Sequence, residues 1–369
     1  MNEEELSVFK LFLAADIGIK RLSGLIEKFG SAKSAVNASK TELLQVEGIG
    51  LKTADEILNI KNSKKAEKEL EKARKSNIKI LLADSGEYPR VLKDFADRPV
   101  ALYVKGDLTE KDLNSIAIVG SRKPTNYGKT VTCEFAGHFA KKGITVISGL
   151  ARGVDTEAHA AALKNNGRTA AVLGNGLFVN YPPENAKLQE KISESGAVIS
   201  EFPLEQKPDV WTFPRRNRII AALSKATLVT EAAQKSGAVI TARFAAEYGK
   251  DVFAVPGSVY SQLSKGTNGL IKDGAFLALN PQDMLGQMPY VTYNNDTIAK
   301  KALPLLSGNE QKTLELIKNC DEGLHSDIIA QKLNIEIPEI AAIIFKLELE
   351  GLIKSEPGQF YTAVRTAED

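Results

Sequence analysis

Hydrophobic positions change rhythm twice along the chain. From residue 1 to about 75 they recur at helical spacing: Leu6, Phe9, Leu11, Phe12 and Leu13, then Leu22, Leu25, Ile26 and Phe29, then Leu43, Leu44, Ile57 and Leu58. Apolar residues three and four apart share one helix face, so this stretch predicts a small all-helical domain over 1–75. Gly18, Gly30, Gly48 and Gly50 punctuate it, and the alternating charges of Asn62 to Lys75 predict a solvated connector helix. From Ile78 the rhythm becomes short β-branched runs: Ile78 to Leu82, Val100 to Val104, Ile116 to Val119, Thr145 to Ile147, Thr169 to Leu173, Ala197 to Ser200, Thr227 to Thr230, Val252 to Val255 and Phe276 to Leu279. Helical stretches fill most gaps, at Lys129 to Lys142, Asp155 to Asn165, Arg216 to Leu223 and Val239 to Tyr248. Apolar strands alternating with helices predict a mostly parallel sheet covered on both faces.

The second domain is therefore expected to be α/β over 76–285, an extended Rossmann-like sheet. The pattern lapses from 281, and a linker is expected over 286–306. Over 307–369, Gln311 to Asn319, His325 to Leu333 and Pro338 to Leu349 predict three helices. Gly351 to Lys354, the turn Glu356-Pro357-Gly358 and Gln359 to Tyr361 then predict a hairpin. Three helices and a hairpin make a winged-helix pattern.

Composition excludes several classes. The 369 residues, 43% apolar and 25% charged, fit an ordinary globular chain of two or three domains. No apolar run reaches the ~20 residues needed to span a bilayer. The acidic start Met1-Asn2-Glu3-Glu4-Glu5 is unlike a signal peptide, so a cytoplasmic location is expected. Two cysteines, Cys133 and Cys320, and three histidines argue against a disulfide framework or a zinc site; no cofactor is expected. Net charge is only +2, so any polyanion site must gather its cations locally.

The gathering is visible in the strand-end loops. Val119-Gly120-Ser121-Arg122 runs from a buried strand into Gly-Ser-Arg, where α/β sheets bind anions and an arginine offers a bidentate phosphate fork. Ser148 to Asp155 follows the second parallel strand with Arg152, and Asp155 reads as a helix cap. Gly174-Asn175-Gly176 follows the third, with Tyr181-Pro182 and Asn185 behind it. Phe213 to Arg218 brings Arg215, Arg216, Asn217 and Arg218 together. Ser236, Gly237 and Thr241 open a helix, and Thr267 and Asn268 lie in a later glycine-rich loop. Phe178, Tyr181, Trp211 and Phe213 are candidate stacking platforms for unpaired bases. Gly128-Lys129-Thr130 imitates the end of a P-loop, but seven residues separate Gly120 from Gly128 where that motif needs four. Gly48-Ile49-Gly50 between helices reads as a helix-hairpin-helix turn. Asp16 to Gly24 is a candidate second copy. No nucleophile and base stand at a catalytic spacing; Glu231, at a strand end, reads as a brace for an arginine or a turn.

In their order and spacing these loops resemble the DNA processing protein A family (DprA, also called Smf), and the resemblance covers nearly the whole chain. It implies a homodimer that binds and protects single-stranded DNA and helps load RecA onto it during natural transformation, without turnover. It also implies that Arg122 lies in the binding pocket, and that a lysine follows the Tyr-Pro pair. Pro183 stands there instead, and Lys187 is the candidate replacement. An alternative is a nucleotide-binding enzyme resembling phosphoribohydrolases, from Thr230-Glu231-Ala232 and Pro256-Gly257. A third reading, a transcription factor, conflicts with Glu339, Glu348 and Glu350 on the expected recognition helix.

Overall fold

The computed structural model describes residues 1–15, 17–293, 306–320, 323–356 and 358–364. The chain forms two compact units, Met1–Asn294 and Asn295–Asp369.

The first unit is built on nine strands: β1 Ile78–Leu82, β2 Ala101–Gly106, β3 Ser115–Val119, β4 Thr145–Ser148, β5 Thr169–Leu173, β6 Ala197–Ser200, β7 Ala226–Val229, β8 Asp251–Ala254 and β9 Phe276–Leu277. Their order is β1-β2-β6-β5-β4-β3-β7-β8-β9. The run from β6 to β9 is parallel, and β1 and β2 extend it antiparallel. Alternate residues serve opposite cores, as strand geometry requires. From β3, Ala117 and Val119 join one core, while Ile116 and Ile118 join the other with Phe135, Phe139 and Phe253. Because β3 leads one way to β4 and its other neighbour is β7, a crevice opens at the carboxyl ends of β3 and β7.

The helical segment shares the sheet's core. The Phe9 ring packs tilted against Tyr103 of β2, centroids 6.3 Å apart. The charged helix Lys65–Lys75 is docked, unlike the solvated connector the sequence suggests: Ala66 and Ala73 are buried and Glu69 accepts from Leu204 N at 2.7 Å. Within the segment, helices Lys40–Leu43 and Leu51–Lys61 flank the Gly48–Gly50 turn. Asp16, the start of the candidate second copy, lies outside the described residues.

The expected linker is a second departure. Helix Pro281–Gly286 is capped by Asn280. Met284, Leu285, Met288 and Val291 are buried in the second core. Thr292 N donates to Asn114 Oδ1 at 3.0 Å. The chain is thus in the core through Val291 and tied to Asn114 at exposed Thr292, and 294–305 lie outside the described residues. Met284, Leu285, Met288 and Val291 keep a helical spacing, but over a run too short to stand out in the sequence as an element.

The second unit has helices Gly308–Lys318, Ser326–Leu333 and Ile337–Leu349 against strands β10 Leu324–His325, β11 Ile353–Glu356 and β12 Phe360–Ala363, in the antiparallel order β10-β12-β11. This is a winged helix, with short β10 additional to the expected hairpin; Pro357 of its turn lies outside the described residues. Ile340, Ile343, Ile344 and Leu347 face inward, leaving Phe345 and Leu349 exposed beside Glu339, Glu348 and Glu350.

Candidate functional site

The cleft at the switch point has a volume of about 570 Å³ and draws its lining from several loops. Gly120, Ser121 and Arg122 line it after β3, with Ala151 from the loop after β4 and Asp155 from the start of the helix that follows. Tyr181, Phe213, Arg216 and Asn217 form one wall; Ser236, Gly237, Ile240 and Thr241 form the other. Gly120 is required where it stands, since a Cβ there would lie 2.6 Å from Val154 Cγ2 and 2.9 Å from the Glu231 carbonyl.

Arg122 is exposed, and its guanidinium carbon sits 4.9 Å from the centroid of Phe213. Among the described residues no carboxylate lies within ion-pair distance of it. Phe213 is half-buried and packs against Tyr181, with centroids 5.7 Å apart. The arginine thus lies over an aromatic face, its hydrogen-bonding edge unclaimed by any described carboxylate.

The other arginines have different tasks. Arg216 is buried beneath the cleft, where its Nη1 donates to the carbonyls of Gly149 and Val172 and its Nε to Asn217 Oδ1 at 3.1 Å. Burial pulls it down to about 10, and the Asp155 charge opposes that fall. Asp155 is no helix cap, contrary to the sequence reading, because Gly153 holds that position. Its carboxylate accepts from Ala151 N at 3.3 Å, and burial raises its pKa against the pull of Arg216. Arg215 and Arg218 face away from the cleft, onto buried Glu201. Arg215 Nε lies 3.1 Å from its Oε1, and Arg218 Nη2 donates to its Oε2. The helix Thr212–Leu223 turns about 100° per residue, so adjacent arginines cannot share one face.

Further sequence candidates act as braces. Asn185 donates to the carbonyl of Leu150 at 3.0 Å and to Thr156 Oγ1 at 2.8 Å. Arg152 is exposed and paired with Glu184. Lys187 is exposed on helix Ala186–Ser195 and does not line the cleft. Thr267 is buried, and Asn268 pairs with both polar backbone atoms of Gly257. Both lie outside the cleft, on helix Lys265–Lys272 rather than the expected loop. Of the proposed platforms, Phe178 and Trp211 are exposed but not in the lining.

Glu231 closes the helix behind the cleft. Its two oxygens accept from Thr125 N and Thr125 Oγ1, each at 2.8 Å, and its carbonyl accepts from Ser121 N at 2.7 Å. Thr125 in turn caps helix Asn126–Lys141 through Gly128 N. That amino end already holds the Glu231 carboxylate, so the helix start is not left open as the sequence suggests. A Cβ on Gly128 would lie 2.5 Å from Glu231 Oε2, which accounts for the glycine of the false P-loop.

Sequence reasoning missed Glu201 and the apolar rim. Val210 is 85% exposed at the mouth, with Ile240 across from it in the lining. An exposed isoleucine between buried Val239 and Thr241 carries no periodic signal. Glu201 follows β6 as a single acid and looks like any loop residue. Among the described residues no cluster of His, Cys, Asp and Glu could hold a metal, and no helix is long and apolar enough to cross a membrane.

Sheet topology, switch-point cleft and aromatic-backed arginine define a Rossmann-type protein with a cleft at the strand carboxyl ends, flanked by helix-hairpin-helix and winged-helix modules. The family described as DNA recombination-mediator protein A matches residues 79–289, a helix-hairpin-helix motif matches 31–60 and the DprA winged helix domain matches 299–359. Protein Smf of Synechocystis is 34% identical, over 94% of this chain and 95% of its own. Protein Smf of Escherichia coli is 38% identical, over 86% of each. The chain belongs to this DprA/Smf family. The X-ray structure of DNA processing protein A from Streptococcus pneumoniae superposes with a TM-score of 0.68 at 32% identity, covering 78% of this chain and 99% of that one. DNA processing protein A from Helicobacter pylori, a structure described by its unique single-stranded DNA binding mode, gives 0.52 at 32% identity, covering 57% and 95%.

Proposed function

We propose that this chain binds single-stranded DNA by its backbone in the β3–β7 cleft, protects it, and as a homodimer helps load RecA onto it during DNA uptake and recombination. The observation that carries this is Arg122, stacked on Phe213 with no carboxylate partner among the described residues, at the mouth of a donor-lined cleft. A cation on an aromatic platform suits a strand whose phosphates and unpaired bases are both accessible. The Helicobacter relative, described by its single-stranded DNA binding mode, supports the choice of ligand. The contacts are proposed for Gly120, Ser121, Arg122, Phe213, Ser236, Gly237 and Thr241, with Arg216 and Asn217 bracing the wall.

A non-catalytic role is supported by the carboxylates of the region. Glu231 is spent on Thr125 and Asp155 on the loop backbone and Arg216. The dimer is supported by the sheet's edge at β9, where Phe276, Leu277 and Leu279 are all more than 40% exposed. A cytoplasmic location suits such a partner set. The test is a salt-titrated comparison of single-stranded DNA, duplex DNA and mononucleotides. The proposal expects tightest binding to the single strand, falling steeply with salt. Tightest binding to a mononucleotide, with release of its base, would transfer the site to the phosphoribohydrolase-like alternative.

A further inference from the structure

Two adjoining clefts, of about 370 and 840 Å³, lie where the helical segment meets the sheet, and Ile19, Lys20, Arg21, Ala96 and Arg98 line both. They form one groove. Lys20 and Arg21 are exposed, and among the described residues neither they nor Arg98 makes an ion pair. Arg98 Nε is buried and, among the described residues, donates to no acceptor. The hairpin turn reaches the same groove, since Gly48 lines the wider cleft beside the Arg21 side chain. Gly50 begins helix Leu51–Lys61 with no side-chain cap, leaving the first amide groups free of side-chain acceptors. Cations from two separate parts of the chain, Lys20–Arg21 and Arg98, therefore meet the hairpin turn at Gly48 in one groove.

The groove also adjoins the β3–β7 cleft through a shared wall. Helix Thr212–Leu223 gives Phe213, Arg216 and Asn217 to that cleft, and Arg215 and Arg218 to the groove. Lys20, Arg21, Lys28, Arg98, Arg215 and Arg218 in the lining outnumber the carboxylates Glu27, Glu47 and Asp97 beside them, even with Glu201 taken up by Arg215 and Arg218. Asp97 is held by Tyr248 Oη at 2.9 Å, and Glu27 and Glu47 belong only to the wider cleft.

We infer that this groove is a second backbone contact for the same DNA strand: a strand leaving the β3–β7 cleft crosses helix Thr212–Leu223 and lays its phosphodiesters along Lys20, Arg21 and Arg98. This rests on the function proposed above and extends it from a pocket to a track. Only strands long enough to leave the pocket can use it.

The experiment measures binding of the full chain to oligothymidylates of about six nucleotides, near the short end of single-strand site sizes, and about twenty, beyond their long end of roughly 16. The variants are Lys20→Ala/Arg21→Ala and, separately, Arg21→Glu, all at exposed positions. For the long oligomer the double variant is expected to bind several-fold more weakly at low salt. Its log–log salt slope should shrink by about 1.4, two contacts at ~0.7 each for a single strand. The short oligomer should bind as to the native chain, and Arg21→Glu should deepen the long-oligomer loss. An unchanged long-oligomer affinity and slope would overturn the inference, and so would equal weakening of both lengths. A parallel Arg122→Ala arm keeps the two claims apart: failure of Arg122→Ala to weaken the short oligomer counts against the pocket, not the groove.

Discussion

Arginines at 122, 215, 216 and 218 look equivalent in the sequence, and the fold gives them three environments. Arg122 lies on an aromatic ring, Arg216 is buried as a brace, and Arg215 and Arg218 share Glu201. Side-chain direction separates them, and a loop motif carries no direction. His159 shows a second burial effect. Its Nδ1 lies 2.7 Å from Thr169 Oγ1, whose own proton goes to the carbonyl of Val146, and burial takes its pKa from 6.5 down to about 3. The folded ring stays neutral while the unfolded one gains a proton, so stability is full above pH 6.5 and is lost as pH falls below it. The expected loss is about 1.4 kcal/mol per unit between pH 6 and 4. His159→Asn should show a shallower decline in urea titrations across that window; parallel declines would refute this account.

At the scale of elements, the strands were legible because their apolar runs are short, β-branched and bounded by glycine or proline. The nine expected strands all form, their ends within two residues or so. What escaped were elements whose amphipathic signal is weak or short. Helix Ala186–Ser195, helix Lys265–Lys272 and the packed stretch 281–292 each bury only a few side chains. The last has a measurable consequence. Met288 is fully buried in the second core, so Met288→Ala should cost roughly 2–4 kcal/mol in denaturant unfolding. A cost near zero is what a linker would give. The cleft was legible as a set of loops, because glycine and hydroxyl residues cluster where backbone must approach closely. Its membership was not, because Thr267 and Asn268 share that composition while bracing Gly257 elsewhere.

For the whole molecule, the helical segment and the sheet behave as one body. Phe9 with Tyr103, Glu69 with Leu204 N and the 2.7 Å pair of Lys72 with Glu205 tie them. Removing residues 1–75 should therefore expose the Tyr103 face and lower the melting temperature of the remainder; an unchanged transition would mean the two fold separately. The winged helix is a compact unit of its own, and its third helix shows Glu339, Glu348 and Glu350 to solvent. Like charges oppose a phosphate backbone. Deleting residues 300–369 should leave most single-strand affinity intact, and a collapse of binding would make that unit the DNA reader. The most direct test of the central claim is the affinity of Arg122→Ala for single-stranded DNA as a function of salt. The account predicts weaker binding at low salt, a log–log slope shallower by about 0.7, and a difference that narrows as salt rises. An affinity and slope equal to those of the native chain would contradict it.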